Sequence, residues 1–223
     1  MFSYKIIRAD RRTICITVER GGEVIVRAPF WAKTADIERF VFSKEDWVEN
    51  CINKELSKLK PPAFLSGEEF SFAGTGGYKV KFCDKTRALF NRSEKTFCLP
   101  AVKIGDDERL LDEFKKLVKK EFLKYAKTRS AQISAVCGLN ARKISVGSAR
   151  TRWGVCNAEN DVTYTLFLAF LPQELIDYVI LHELCHVKQK NHSRAFWALL
   201  LSFMPDGQNR RKKLHDYSLF LEI

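Results

Sequence analysis

No apolar run in the 223 residues is long enough to cross a bilayer. A membrane helix needs roughly 18 consecutive apolar residues, and the longest candidates, Tyr164–Leu171 and Ala195–Phe203, are the size of core segments. Charge interrupts the first twenty residues, MFSYKIIRADRRTICITVER, so they do not read as a secretory leader. The seven cysteines, Cys15, Cys51, Cys83, Cys98, Cys137, Cys156 and Cys185, form no C-x-x-C pair, which argues against a zinc ribbon and against a disulfide framework. Reduced, mostly buried thiols in a soluble cytoplasmic protein are the expectation. Internal repeats and low-complexity linkers are absent too. Acidic residues are in deficit, 27 against 38 basic ones, for a net charge of +11. No aromatic-interleaved RNA motif or helix-turn-helix pattern accompanies that surplus. It reads first as a solvated surface, and second as a means of drawing in nucleic acid or a phosphorylated ligand.

What is present suits a globular chain, with 46% hydrophobic and 12% aromatic residues. Thr13–Glu19 and Glu23–Ala28 alternate apolar and polar residues on either side of Gly21-Gly22, which predicts a hairpin that Pro29 ends. Helical spacing over Ala35–Leu59 predicts one long helix, stopped by Pro61-Pro62. Short strands are expected at Tyr78–Phe82 and Thr96–Leu99. A long basic helix is expected over Asp106–Cys137, closed by Gly138. Lys143–Gly147 and Asp161–Thr165 read as strands flanking a loop with Arg152-Trp153-Gly154, and Gln173–Lys190 as a helix begun by Pro172. The fold class expected is α+β. A β-rich region with one long helix over 1–104 precedes a helix-rich region over 105–223.

The chemistry concentrates in LHELCHVKQKNHSRAFW, residues 181–197, which holds three of the four histidines. Residues four apart on a helix lie one turn apart on one face, so His182 and His186 can turn both imidazoles to one ion. Glu183 between them completes H-E-x-x-H, the arrangement in which a glutamate acts as general base on metal-bound water. Zinc suits such a site. It takes neutral imidazole, accepts three protein ligands, and leaves one position for water whose pKa it lowers to roughly 7. His192, six residues past His186, falls about 120° off the shared face of a straight helix. A helix that ends near Lys190–Asn191, with Asn191 left-handed and Ser193 capping the next segment, would bring His192 back as third ligand. Leu175, Val179, Ile180, Leu181, Leu184 and Val187 predict that the helix is buried, where unpartnered polar groups are costly.

The chain resembles the YgjP-like metallopeptidase family, a zincin group similar to the SprT-type and WLM-type proteases. The likeness rests on RRTICITV, VIVRAP, DWVENCI, TRWGVC at 151–156, LPQELIDYVILHELCHVKQKNHSRAFW at 171–197, and MPD at 204–206. It implies a compact zincin-like catalytic region with the metal-bearing helix packed on a small sheet. It also implies one zinc ion per chain on His182, His186 and His192, with Glu183 as the catalytic carboxylate and a peptide or protein as substrate. Metzincins share the histidine spacing but carry glycine where this chain has Gln189. Relatives read W-G-S-C and L-N where this chain has Trp153-Gly154-Val155-Cys156 and Tyr164-Thr165.

Around this centre, Arg152, Trp153 and Tyr178 are candidates for substrate binding. Trp153 reads first as a packing residue. Tyr178, one turn before His182, could donate to an oxyanion, with Tyr164 as its rival, but each reads first as a buried tyrosine with a satisfied hydroxyl, and the oxyanion donor is left unassigned. An extended peptide could add to the edge of the Asp161–Thr165 strand. Cys185 reads as a core thiol, His215 as a surface histidine, and Arg210–Lys213 as a solvated helix face. Three other functions fit the same residues: metal-dependent hydrolysis of nucleotides or other phosphate esters, a nucleic-acid-associated protease, and a metal-binding module without catalysis. The oligomeric state is left open.

Overall fold

The computed structural model describes residues 2–56, 63–101, 104–218 and 220. It divides into two compact units, Met1–Lys58 and Leu59–Ile223. The change from a β-rich to a helix-rich pattern in the sequence places a boundary near residue 104, but the strands of 70–100 share one core with the helices that follow them.

In the first unit, β1 (Tyr4–Ala9), β2 (Cys15–Val18) and β3 (Val24–Pro29) form a sheet in the order β1-β3-β2. The β2–β3 hairpin turns through Gly21 and Gly22, whose φ of 79° and 86° only glycine adopts at little cost. Val24, Val26 and Ala28 of β3 are fully buried. The long helix expected from residue 35 is two, α1 (Thr34–Phe42) and α2 (Glu45–Leu56). Apolar spacing continues through the break, but Ser43 intervenes. Its hydroxyl donates to Phe40 O at 2.7 Å, and the Lys44 N–H bonds Val41 O at 3.0 Å, which closes α1 with a tight turn. Glu45 and Asp46 then favour a new N-terminus. Leu59 and Pro61-Pro62 lie outside the described residues.

The second unit opens with β4 (Phe70–Phe72), β5 (Thr75–Cys83), β6 (Leu89–Asn91) and β7 (Thr96–Pro100), in the order β4-β5-β7-β6. Next comes the 31-residue α3 (Asp107–Cys137). Asp106 caps it by accepting the Arg109 N–H at 3.0 Å, and Gly138 closes it at φ 71°. A small sheet follows, β8 (Lys143–Gly147), β9 (Gly154–Cys156) and β10 (Asp161–Thr165), in the order β8-β10-β9. Three helices complete the unit: α4 (Gln173–Lys188), α5 (Arg194–Phe203) and α6 (Gly207–Asp216). Together these elements make an α+β protein.

Phenylalanines join the four-stranded sheet of this unit to α3, and the segment before β4 to the segment before α4. The Phe97 ring stands 5.3 Å from Phe114 of α3, and Phe64 stands 4.5 Å from Phe170 just before α4. This shared core is why no boundary falls near residue 104. One expectation about the thiols is corrected here. Cys83 of β5 and Cys98 of β7 are joined as a disulfide, while Cys15, Cys51, Cys137, Cys156 and Cys185 are free. The two bonded cysteines come from strands paired side by side, an adjacency that sequence spacing does not reveal.

The start of α4 is held by a polar network. Arg129 of α3 donates to both carboxylate oxygens of Asp177, at 2.7 and 2.8 Å, and Gln173 links Asp177 to the Tyr125 hydroxyl. Leu175, Ile176, Val179, Ile180 and Leu184 on α4 are buried, each contributing roughly 1.5–3 kcal/mol of transfer free energy. Polar anchoring and apolar burial together fix the register of the helix that carries His182, Glu183 and His186.

Candidate metal centre

His182 and His186 occupy consecutive turns of α4, and their rings stand 4.9 Å apart. The chain must then reverse to return His192, and it does so two residues earlier than expected. α4 ends at Lys188, and Gln189 takes an extended conformation, φ −127° and ψ 97°. Asn191 is not left-handed; its side-chain oxygen instead accepts the Ser193 N–H at 3.3 Å. Ser193 holds the N-cap position of α5 without a side-chain cap bond. The result is a His192 ring 4.9 Å from His182 and 4.7 Å from His186. One ligand atom from each histidine lies within 4.8 Å of the others.

The donor chemistry fits a cation. A carbonyl can only accept, so the 2.9 Å contact between His186 Nδ1 and Gln189 O places the proton on Nδ1 and leaves the Nε2 lone pair free. Nε2 of His182 and Nε2 of His192 face each other at 2.9 Å. Burial, reinforced by the charges of His186, His192 and Arg211, pulls His182 down to about 3. Burial also lowers His186, against the opposing Gln189 bond. Both are therefore neutral imidazoles at pH 7, the form that binds metal. Nδ1 of His182 is buried without a hydrogen-bond partner among the described residues. Nitrogens bound about 2 Å from one tetrahedral zinc lie about 3.4 Å apart, so this cluster needs only small adjustments to enclose an ion.

Glu183 is buried beside the cluster, and burial pushes its carboxyl up to about 7 while Arg152 opposes the rise. Strand β9 passes directly over it. A methyl group on Gly154 would stand 2.7 Å from both Cγ and Oε1 of Glu183, so only glycine lets the strand come this near. Phe196 of α5 is fully buried and lies against all three imidazoles, at ring distances of 4.6 to 4.9 Å.

Residues 12–217 match the YgjP-like metallopeptidase domain. The chain belongs to that family. No curated protein and no solved structure matches it.

In this YgjP-like domain the other sequence candidates separate clearly. Arg152 is exposed, and its charge is felt at Glu183. Trp153 is partly buried against the core, with its carbonyl accepting the Thr165 N–H at 2.9 Å. Tyr178 is buried, its ring 5.8 Å from His182, and burial pushes its hydroxyl up to about 12. Tyr164 is fully buried and its hydroxyl is engaged with Ser130 at 3.2 Å, which removes it as an oxyanion donor. Cys185 is a core thiol, and His215 is exposed and outside the cluster.

Two expectations are corrected. The strand Asp161–Thr165 is the middle of its sheet, bonded to β8 on one side and β9 on the other, so it offers no free edge. Arg210–Lys213 is more than a solvated face, because Arg210 donates to Glu174 O at 3.0 Å and Lys213 to the Glu174 carboxylate at 3.1 Å.

Gly154, Gln189 and Phe196 touch Glu183 or the imidazoles, contacts that sequence reasoning passed over. The glycine within TRWGVC, a candidate loop, was the one visible signal. The others depend on where the chain turns.

Proposed function

We propose that the chain is a zinc peptidase, with His182, His186 and His192 holding the ion and Glu183 as general base. The observation that carries this reading is the convergence of three imidazoles, two of them held neutral, beside a buried carboxylate. When bound, zinc supplies Lewis acidity, lowering the pKa of a water and polarising a carbonyl.

The protein's own residues do the rest. Gln189 holds His186 in the tautomer that leaves Nε2 available. Glu183 Oε1 accepts the proton of the attacking water and returns it to the departing amine. Gly154 sets how near β9 comes to that carboxylate. β9 has β10 on one side and no strand on the other among the described residues, so an extended peptide pairing with its open edge would run past Glu183. Of the two candidate tyrosines, Tyr178 keeps the position next to His182 from which a hydroxyl could meet an oxyanion. Among the described residues, no helix is long and apolar enough to cross a membrane.

The deciding experiment pairs metal analysis with turnover. Wild type and Glu183→Gln should each carry about one zinc per chain. Casein-type peptides should be cleaved by wild type, with cleavage lost on chelation and lowered at least about 100-fold in the variant. Nucleoside triphosphates serve as comparison substrates. Their hydrolysis without peptide cleavage would replace this reading with phosphate-ester chemistry.

A further inference from the structure

We infer that the site selects peptides bearing a carboxylate near the scissile bond, and that Arg211, held on Trp197, is the residue that recognises it; this rests on the peptidase reading above. The argument begins with α6. Arg210 and Lys213 fasten that helix to Glu174 of α4, and a methyl group on Gly207 would lie 3.9 Å from Tyr178 Cε2. Residue 211 is one helical turn beyond Gly207, on the same face. Its guanidinium lies 5.1 Å from the centroid of the Trp197 indole. That indole in turn stands 6.1 Å from His192, inclined at 29°, and 6.4 Å from His182. An arginine, an indole and two of the proposed metal ligands therefore form one connected group.

Arg211 makes no ion pair or hydrogen bond with another described residue, whereas Arg129, Arg142 and Arg210 all do. Its charge nevertheless reaches the His182 imidazole. Arg152, equally without a carboxylate partner among the described residues, places a second charge near Glu183. A bare cation beside a site for a dication opposes loading of that site. The arrangement becomes favourable when an anion lies between them. A guanidinium carbon over an aromatic ring at this distance leaves its N–H groups without a hydrogen-bond partner there, and those groups match a carboxylate in bidentate fashion. On a peptide, such a carboxylate is either the free C-terminus or an Asp or Glu side chain.

The test uses binding, so that it does not depend on turnover. Zinc-loaded Glu183→Gln protein is titrated with three peptides of one backbone: both ends blocked and neutral, the same with a free C-terminal carboxylate, and the blocked peptide with one Glu. At least one anionic peptide should bind about tenfold or more tightly than the neutral one, as one charge-assisted bidentate contact allows. Added salt should reduce the ratio. Arg211→Gln, in the same Glu183→Gln background, should bring the ratio close to one, and Arg211→Lys should restore part of it. The anionic peptide that gains identifies the source of the carboxylate. Equal binding of all three peptides, or a preference that survives Arg211→Gln, overturns the inference. A charge preference without any hydrolysis by wild type supports Arg211 as the anion reader and overturns the peptidase reading. Hydrolysis without charge preference does the reverse.

Discussion

Gly154 on the edge strand and Glu183 on the metal-bearing helix approach so closely that one added methyl group would stand 2.7 Å from the carboxylate oxygen. Gly154→Ala should therefore displace Glu183 while leaving the three histidines in place. A misplacement of about 1 Å can lower turnover by roughly 100-fold. The expected outcome is a fall of that order in kcat with zinc content unchanged, checked by steady-state kinetics beside elemental analysis. Unchanged turnover would mean that Glu183 has room to yield.

The three imidazoles should act as one unit toward metal. His182→Ala, His186→Ala and His192→Ala should each weaken zinc binding by more than the roughly 10–100-fold typical of losing an outer-shell partner. Competition with a chromogenic chelator measures this. A His192→Ala protein that binds zinc as wild type does would remove that residue from the ligand set.

Zinc should also stabilise the fold, because the unfolded chain offers no preformed site. Metal at about 100 times its Kd adds about 2.7 kcal/mol, which for a chain of this size raises the Tm by roughly 5–10 °C. Thermal unfolding with and without a chelator reads the shift. In His186→Ala it should be largely lost.

The Arg129–Asp177 pair couples α3 to the start of the metal-bearing helix, with the Asp177 side chain 15% exposed. Removing either partner leaves the other charge partly buried and should cost about 2–4 kcal/mol. The double variant Arg129→Ala/Asp177→Ala should lose less than the sum of the two single changes. Chemical denaturation of all four proteins measures the coupling.

Gly74, at φ 77°, packs against the first turn of α4, and a methyl group there would meet Gln173 Cβ at 2.8 Å. Gly74→Ala should lower stability by at least about 1–2 kcal/mol from the left-handed backbone alone. A Tm measurement detects it.

Much of this protein can be read without coordinates, because the signals involved are local. Hydrogen-bond periodicity and capping chemistry act over three or four residues, so Asp106 and Gly138 mark the ends of α3 almost to the residue. The i,i+4 geometry of one helix places His182 beside His186 with Glu183 between them whatever the rest of the chain does. The break at Ser43 leaves no mark in the apolar spacing, which continues across it, and shows only in the bonds of Ser43 to Phe40 O and of the Lys44 N–H to Val41 O.

Other features depend on contacts between segments distant in sequence. His192 reaches the centre through an extended Gln189, a conformation for which that residue type has no special preference. Strand order makes β10 the interior of its sheet and β9 its edge, and pairing order is a property of the whole unit. Phe97 against Phe114 merges what the sequence pattern divides into separate regions. Arg211 meets Trp197 only because α6 folds back along α4. The sequence by itself determined which side chains could do the chemistry, since a helix sets their spacing through its own backbone bonds. Tertiary structure alone decided which strand, cation and aromatic ring surround them, because those neighbours are selected by long-range packing that leaves no local trace.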